Sequence, residues 1–254
     1  MRPSIFPPTI RSIGQSTLTA PDGKCPRQKR WNDELVPQLE ALKKQLLRER
    51  KERLIRFRGK CALSSGVALG AVFPTVGGWA FEIPQPPAKE PWRSDATPTK
   101  RYDMTDEGLE GTADGTDIVL GLNIRGDGRQ DMVKYVESTG QIPRRYLFIS
   151  PSFQGAQSIR GASDAVAFAK AVRETLGHGL KQYDVHKTRL FFYGPFALAV
   201  FLGQHLTSVG EVQLLNIKIP AISPAARFLR VLRGAPVESR NHPSAGVRSA
   251  RPLD

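Results

Sequence analysis

Two glycine turns, Gly59-Lys60 and Gly194-Pro195, carry most of the chemistry this sequence can offer. The second follows a short apolar run, Leu190-Phe191-Phe192-Tyr193, with the length and aromatic content of a buried strand. It leads into Phe196 to Leu202, whose bulk repeats at helical spacing with Leu198, Phe201, Leu202 and Leu206 on one face. Val209-Gly210 breaks that helix, and Val212 to Leu215 reads as the next strand. Strand, turn, helix, strand is one unit of a Rossmann-like sheet. Such a sheet lines up its strand-to-helix turns along one edge, where backbone N–H groups and helix N-termini face an anionic ligand.

Reaction chemistry is not visible. His178, His186, His205 and His242 are scattered, with none at i,i+4 spacing and no carboxylate pair nearby. His205 falls on the polar side of its helix and is expected to be solvated. There is no Walker loop, GxSxG elbow or HExxH motif, and the glycines between Gly121 and Gly128 are too few and wrongly spaced for a dinucleotide fingerprint. Cys25 and Cys61 lie far apart in no CxxC pattern, which argues against a disulfide framework or a thiolate zinc site. That usage favours a reducing, cytoplasmic compartment. The chain reads as a receptor-like sheet rather than an enzyme, with no catalytic residue, metal or cofactor.

The elements that must position these turns form two sets. Gly59-Lys60-Cys61-Ala62-Leu63 matches Gly194-Pro195-Phe196-Ala197-Leu198 at the first, fourth and fifth positions. Leu69-Gly70 and Val76-Gly77 recur as Leu202-Gly203 and Val209-Gly210, with a two-residue shift between the matched blocks. True duplication predicts two related α/β halves around one shared pocket; chance similarity between two buried helix-strand units stays open. Upstream, Leu35, Leu39, Leu42 and Leu46 give a helical stripe starting near Asn32, and the charged run Arg48 to Arg53 reads as a solvated helix surface.

Residues 61–81 contain no charged side chain and satisfy the length and flank rule for a membrane span. Pro74, Gly77 and Gly78 split that run, which predicts a buried helix to Val72, a turn at Phe73-Pro74 and a strand from Trp79 to Ile83. Residues 84–115 read as loop or linker. From Asp117 onward come a strand to Arg125, a turn at Gly126-Asp127-Gly128, a short helix at Met132, Val133 and Val136, and a strand from Arg145 to Ile149. A helix from Ala162 to Leu180 follows, with Ala165, Phe168, Ala169 and Val172 inward. The order β-α-β-α-β-α-β calls for a parallel sheet with right-handed crossovers.

The formal net charge of +13 is uneven: +8 over residues 1–59, +1 over 60–226 and +4 over 227–254. A nearly neutral core with solvated basic ends fits this better than a nucleic-acid footprint, which would sit on the folded domain. Residues 1–31 are expected to be a disordered basic segment and 229–254 a disordered basic tail. The folded domain spans 32–228, in halves of about 32–100 and 116–228. No signal peptide is expected. Two other classes stay open. One is a single-pass membrane protein through 61–81; the other is a DNA-binding accessory using a basic helix at 43–58.

Several runs resemble the SAVED domain, the sensor part of HNH-SAVED-type antiphage effectors. They are Ser158 to Ala169 (SIRGASDAVAFA), Leu190 to Gly203 (LFFYGPFALAVFLG), Glu211-Val212-Gln213-Leu214, and Arg58 to Gly66 leading to Trp79 and Trp92-Arg93-Ser94-Asp95-Ala96. The resemblance covers roughly residues 35–228. It implies an α/β fold of two fused CARF-like, Rossmann-like halves with mainly parallel sheets. It also implies a sensor of cyclic oligonucleotides made by a partner nucleotidyltransferase in bacterial antiphage defence (CBASS). Ligand binding would drive self-association and switch on an effector such as a nuclease, with no membrane involved. The chain departs from the family at Leu215 and Ile222, where tyrosines are usual. With residues 1–30 too short for a nuclease fold, a truncated member or a stand-alone sensor is expected.

A cyclic oligonucleotide presents phosphates, which ask for backbone N–H groups and cations, and flat bases, which ask for aromatic faces. With the resemblance, the turns Gly59-Lys60 and Gly194-Pro195 become the ligand-facing positions. Lys60 would neutralise phosphate and Tyr193 would stack or hydrogen-bond. Asn123 and Arg125 would read base or phosphate, and Trp92-Arg93 would form a lid. Trp92 and Tyr193 also suit core or partner packing, and Arg93 and Arg125 suit solvated surface.

Overall fold

The computed structural model describes residues 31–59, 61–99, 102–153, 155, 158–216 and 227–232. A wide helical turn, Trp31–Leu35, runs into α1 (Val36–Glu49), which buries Leu39 and Leu46 as the leucine stripe requires. The charged run does not continue that helix. Arg50 is extended, and β1 (Leu54–Arg56) follows, so no basic helix spans 43–58. Then come α2 (Leu63–Val72) and β2 (Ala80–Ile83), parallel to β1. The run 61–81 is therefore a ten-residue helix and a strand, and among the described residues no helix is long and apolar enough to cross a membrane.

Residues 84–115 hold more structure than a linker. β3 (Trp92–Arg93) pairs antiparallel with β2 and completes a three-stranded sheet. β4 (Met104–Glu110) opens the second sheet, pairing antiparallel with a later strand. Its chemistry is mostly acidic and exposed, with none of the apolar alternation that marks a strand.

The second sheet continues with β5 (Ile118–Asn123), α3 (Arg129–Ser138), β6 (Arg145–Pro151), α4 (Ala162–Gln182), β7 (Lys187–Tyr193), α5 (Phe196–His205) and β8 (Glu211–Asn216). β9 (Arg227–Leu232) pairs antiparallel with β8. The spatial order is β4-β6-β5-β7-β8-β9, with β6, β5, β7 and β8 parallel. β5 to β8 thus form the parallel sheet that the alternating pattern calls for.

α5 and α2 are buried on every side, not along one stripe. They lie against each other in the centre of the molecule. The duplicated residues make the contact. A Cβ added to Gly70 would stand 1.9 Å from the Val200 carbonyl oxygen, and one added to Gly203 would stand 2.1 Å from that of Val67. Each pair maps onto the other at a constant sequence offset, and Gly66 faces Ala199 by the same offset. The repeat is therefore a local pseudo-two-fold of two small-residue helix faces. Glycine allows backbones to touch where any side chain would force them apart. Gln204 ties the halves at the far end: its amide donates to the carbonyls of Phe73 and Trp79 at 2.9 and 3.0 Å, while its own oxygen has no partner among the described residues.

Next to it, His205 is not solvated. It is 9% exposed, and burial with Lys170 and Arg173 nearby pushes its pKa down to about 4. A helix packed on all sides has no polar face, so the amphipathic reading fails there.

The opposite edge of the large sheet is closed by charge pairing. Arg189 in β7 and Asp117 just before β5 are both buried and form a two-pronged ion pair, and Arg189 also donates to the Gln141 carbonyl at 2.7 Å.

Candidate functional site

In the large sheet, β5 leads by way of α3 to β6 on one side, and β6 leads by way of α4 to β7 on the other. Val119, Met132, Val136, Tyr146 and Phe148 pack on the α3 face. Leu120, Leu122, Phe168, Val172 and Leu176 belong to the core on the α4 face. Two successive crossovers on opposite faces put a topological switch point between β5 and β7. Open α/β sheets bind their ligands in the crevice outside the strand ends at such a point.

Asn123 and Tyr193 are register partners at that point, each the last residue of its strand. Asn123 is 2% exposed. Its Oδ1 accepts the Gly128 N–H at 3.2 Å, and its Nδ2 donor has no partner among the described residues. Tyr193 is 60% exposed. A strand ending in an aromatic that stays in solvent, beside a buried amide with an unused donor, is where this sheet offers recognition chemistry. Arg125 follows on the surface and makes no ion pair with a described residue.

Gly194 and Pro195 turn the chain from Tyr193 into α5. Gly194 has no room for a Cβ, since the Phe192 ring would lie 2.7 Å away. Pro195 is the extended residue before the helix and gives it no side-chain cap. The Ala197 N–H is instead taken at 3.1 Å by Oε1 of Gln85, which reaches across from the loop after β2. The spacing of Gln85 carries no motif that could have pointed to it.

The matching turn of the first half lies beside this one. Gly59 has φ +128° and is exposed, and Cys61 is half-buried, with desolvation pushing its thiol up to about 12. Lys60 lies outside the described residues. Phe57, after β1, packs its ring against that of Phe196 at the start of α5, with centroids 4.9 Å apart and planes tilted by 36°. The two helix starts are thus neighbours, as the repeat implies, and the space between them holds the Phe57–Phe196 pair and Gln85. Two clefts, of about 510 and 1190 Å³, lie on either face of β4 and contain none of the expected ligand-facing residues.

Trp92 and Arg93 do not form an open lid. Trp92 is 6% exposed and belongs to the core, with its indole N–H unpartnered among the described residues. Arg93 is exposed, but its guanidinium holds Asp95 in two hydrogen bonds of 2.9 and 2.7 Å, with Glu82 at 3.8 Å. That hydrogen-bonded pairing keeps the Asp95 carboxyl below the usual carboxylate range. Of the expected residues, the structure gathers Asn123, Arg125, Tyr193, Gly194 and Pro195 at the switch point and sets Gly59 beside them. Trp92 and Arg93 sit in the small sheet.

One rim residue escaped sequence reading. Phe153, beyond the end of β6, is 69% exposed. It sits in a Pro- and Ser-rich loop that reads as ordinary connection. No group of His, Cys, Asp and Glu side chains that could hold a metal occurs among the described residues.

The model of the SAVED family, described as the SMODS-associated and fused to various effectors sensor domain, matches residues 38–217. No curated protein matches the chain in sequence. Solved structures do match in fold. The Acinetobacter baumannii Cap4 SAVED/CARF-domain containing receptor with the cyclic trinucleotide 3'3'3'-cAAA aligns with a TM-score of 0.71 at 17% identity. The alignment covers 85% of this chain and 46% of the other. The same receptor with 2'3'3'-cAAA gives 0.70 at 17% identity, over 86% and 46%. The Moraxella osloensis Cap4 receptor gives 0.61 at 17% identity, over 85% and 45%. The chain therefore spans a little under half the length of these receptors. Since the family model covers well over half of it, the chain belongs to the SAVED sensor-domain family.

Proposed function

We propose that this chain is a cyclic oligonucleotide sensor of CBASS-type antiphage defence. The observation that carries the reading is the Asn123–Tyr193 pair at the switch point, where an exposed aromatic ring and an unused buried donor sit at the start of α5. Family membership and the fold shared with receptors solved with cyclic trinucleotides support it. Tyr193 stacks on a base. Arg125 and Lys60 take phosphate oxygens, with Gly194-Pro195 letting the ligand approach the start of α5, where the Ala197 N–H is already held by Gln85. Gly59 does the same for α2. Asn123 fixes the β5–α3 turn and offers Nδ2 to an acceptor. The chain senses rather than catalyses and needs no cofactor. It acts in the cytoplasm, where ligand binding drives self-association and switches on an effector.

Calorimetric titration of purified protein with 3'3'3'-cAAA and 2'3'3'-cAAA, followed by sedimentation, tests this. Binding with a shift to larger species is expected. Tyr193→Ala and Lys60→Ala should weaken binding without lowering the melting temperature. Properly folded protein that binds no cyclic di-, tri- or tetra-adenylate removes the sensor reading.

A further inference from the structure

The helix that leaves the Tyr193-Gly194-Pro195 turn is capped from the other half of the molecule. α5 opens after Pro195, which supplies no side-chain cap, and the Ala199 N–H makes its bond back to the Pro195 carbonyl at 3.2 Å. The N–H groups of Phe196, Ala197 and Leu198 come before that bond and have no acceptor within the helix. That of Ala197 donates to Gln85 Oε1 at 3.1 Å, across 112 residues of chain. Gln85 lies in the link between β2 and β3, and that link is firmly held. Pro84, Pro86 and Pro87 flank Gln85 and fix φ at their own positions. The Ala88 N–H closes a turn on the Gln85 carbonyl at 3.0 Å, and Ile83 pairs with Trp92 at the base of the link.

Apolar contact grips the same helix start. The Phe196 ring packs against Phe57, and a Cβ added to Gly66 of α2 would stand 2.9 Å from it. Gln85, Phe57 and Gly66 all belong to the first half. Tyr193 ends β7 in the second half, and only Gly194 and Pro195 separate it from Phe196. β7 therefore fixes one end of this short turn, and the first half fixes the other.

We propose that Gln85 is a positioning residue for ligand binding: by capping α5 from the first half, it holds the Tyr193-Gly194-Pro195 turn in its binding geometry. This rests on the cyclic oligonucleotide reading and adds to it a residue of the small-sheet half. Gln85 need not touch the ligand. A turn left loose at its exit must be ordered when the ligand arrives, and that ordering is subtracted from affinity. Glutamine suits the role. It is long enough to reach a neighbouring helix, and it satisfies the N–H without placing a negative charge beside a polyanion.

The test uses the full chain with 3'3'3'-cAAA as the probe. Gln85→Met keeps the length of the side chain and removes the acceptor. It should weaken ring binding about five-fold, the worth of one helix cap. Gln85→Glu still accepts the Ala197 N–H. In about 0.5 M salt, where its charge is screened, it should bind within about two-fold of the wild type, while Gln85→Met stays weakened. The double variant decides whether the residue works through the turn. In the Tyr193→Ala background Gln85→Met should cost little, so the two losses should fall well short of their sum. Full additivity, wild-type affinity in Gln85→Met, or a Gln85→Glu as weak as Gln85→Met in that salt each overturns the positioning role and leaves the sensor reading standing. A folded wild-type protein that binds no ring overturns both.

Discussion

The two halves of this molecule share a helix interface and almost nothing at their rims. α2 and α5 meet through matched small residues, Gly66 and Gly70 against Ala199 and Gly203. The sheets behind them differ: three short strands in one half, six in the other. At the rim of the first half the charges are spent on one another, Arg56 and Arg93 on Glu82 and Arg93 on Asp95. At the rim of the second, a donor is left unused and two aromatic rings stand in solvent. The two helices match where packing demands it, because a backbone-to-backbone contact tolerates no added atom. Rim chemistry is free to diverge, because solvent tolerates most side chains there.

The largest effects should come from groups that only one half possesses. Arg189→Ala leaves Asp117 buried without its cation, with an expected loss of about 3–5 kcal/mol. Urea unfolding would measure it, and a loss under 1 kcal/mol would mean the pair is hydrated rather than buried. Gly70→Ala and Gly203→Ala break the shared interface instead. Both should cost about 3 kcal/mol, since each new methyl meets a carbonyl oxygen of the facing helix. Equal losses support the pseudo-two-fold; a neutral Gly203→Ala would show that the two contacts are not equivalent.

His205 sharpens the contrast by pH. By the offset that relates the two helices, it stands where α2 has Val72. Burial holds its pKa down at about 4, against 6.5 for a free imidazole, so it is neutral in the fold at neutral pH. Above pH 6.5 neither state holds the proton. Between 6.5 and 4 the unfolded chain binds it and the folded chain does not, so stability falls as pH drops, by up to about 3 kcal/mol at pH 4. His205→Val, the residue of the first half, should flatten that part of the profile. An unchanged acid slope in melting experiments would place the imidazole in solvent.

These contrasts also mark what the sequence could tell. The β5-to-β8 plan was legible because its strands carry short apolar runs, Tyr146 to Ile149 in β6 and Leu190 to Tyr193 in β7 among them, separated by turn residues and helical stretches. Leu69-Gly70 and Leu202-Gly203 were legible as a repeat because close helix packing fixes residue size. β4 was not, because an exposed acidic edge strand has no apolar period, and β1 was hidden behind a charged run. Asn123 and Tyr193 were found as strand ends. Trp92 was misplaced because an isolated Trp-Arg pair looks the same on a lid or in a core. Phe153 was missed because only three dimensions show that its loop folds back onto Ile124.

The smallest predicted effect bears on how the rims differ. Arg93 and Arg125 are both exposed arginines close to a glycine- or proline-rich turn, and sequence alone ranks them equally. Arg93 already has Asp95 and Glu82, so a phosphate would have to displace two carboxylates to gain one cation. Its net attraction for a polyanion is close to nil. Arg125 has no such partner among the described residues and stands one turn from Asn123. Arg125→Ala should therefore weaken 3'3'3'-cAAA binding roughly five-fold, more at low salt than at high, as expected for an exposed phosphate contact. Arg93→Ala should leave affinity within two-fold, about the scatter of such measurements. If Arg93→Ala is instead the more damaging of the two, its ion pairs must open when the ring arrives. The small sheet would then be part of the binding surface, and the asymmetry between the halves would be a property of the free protein alone.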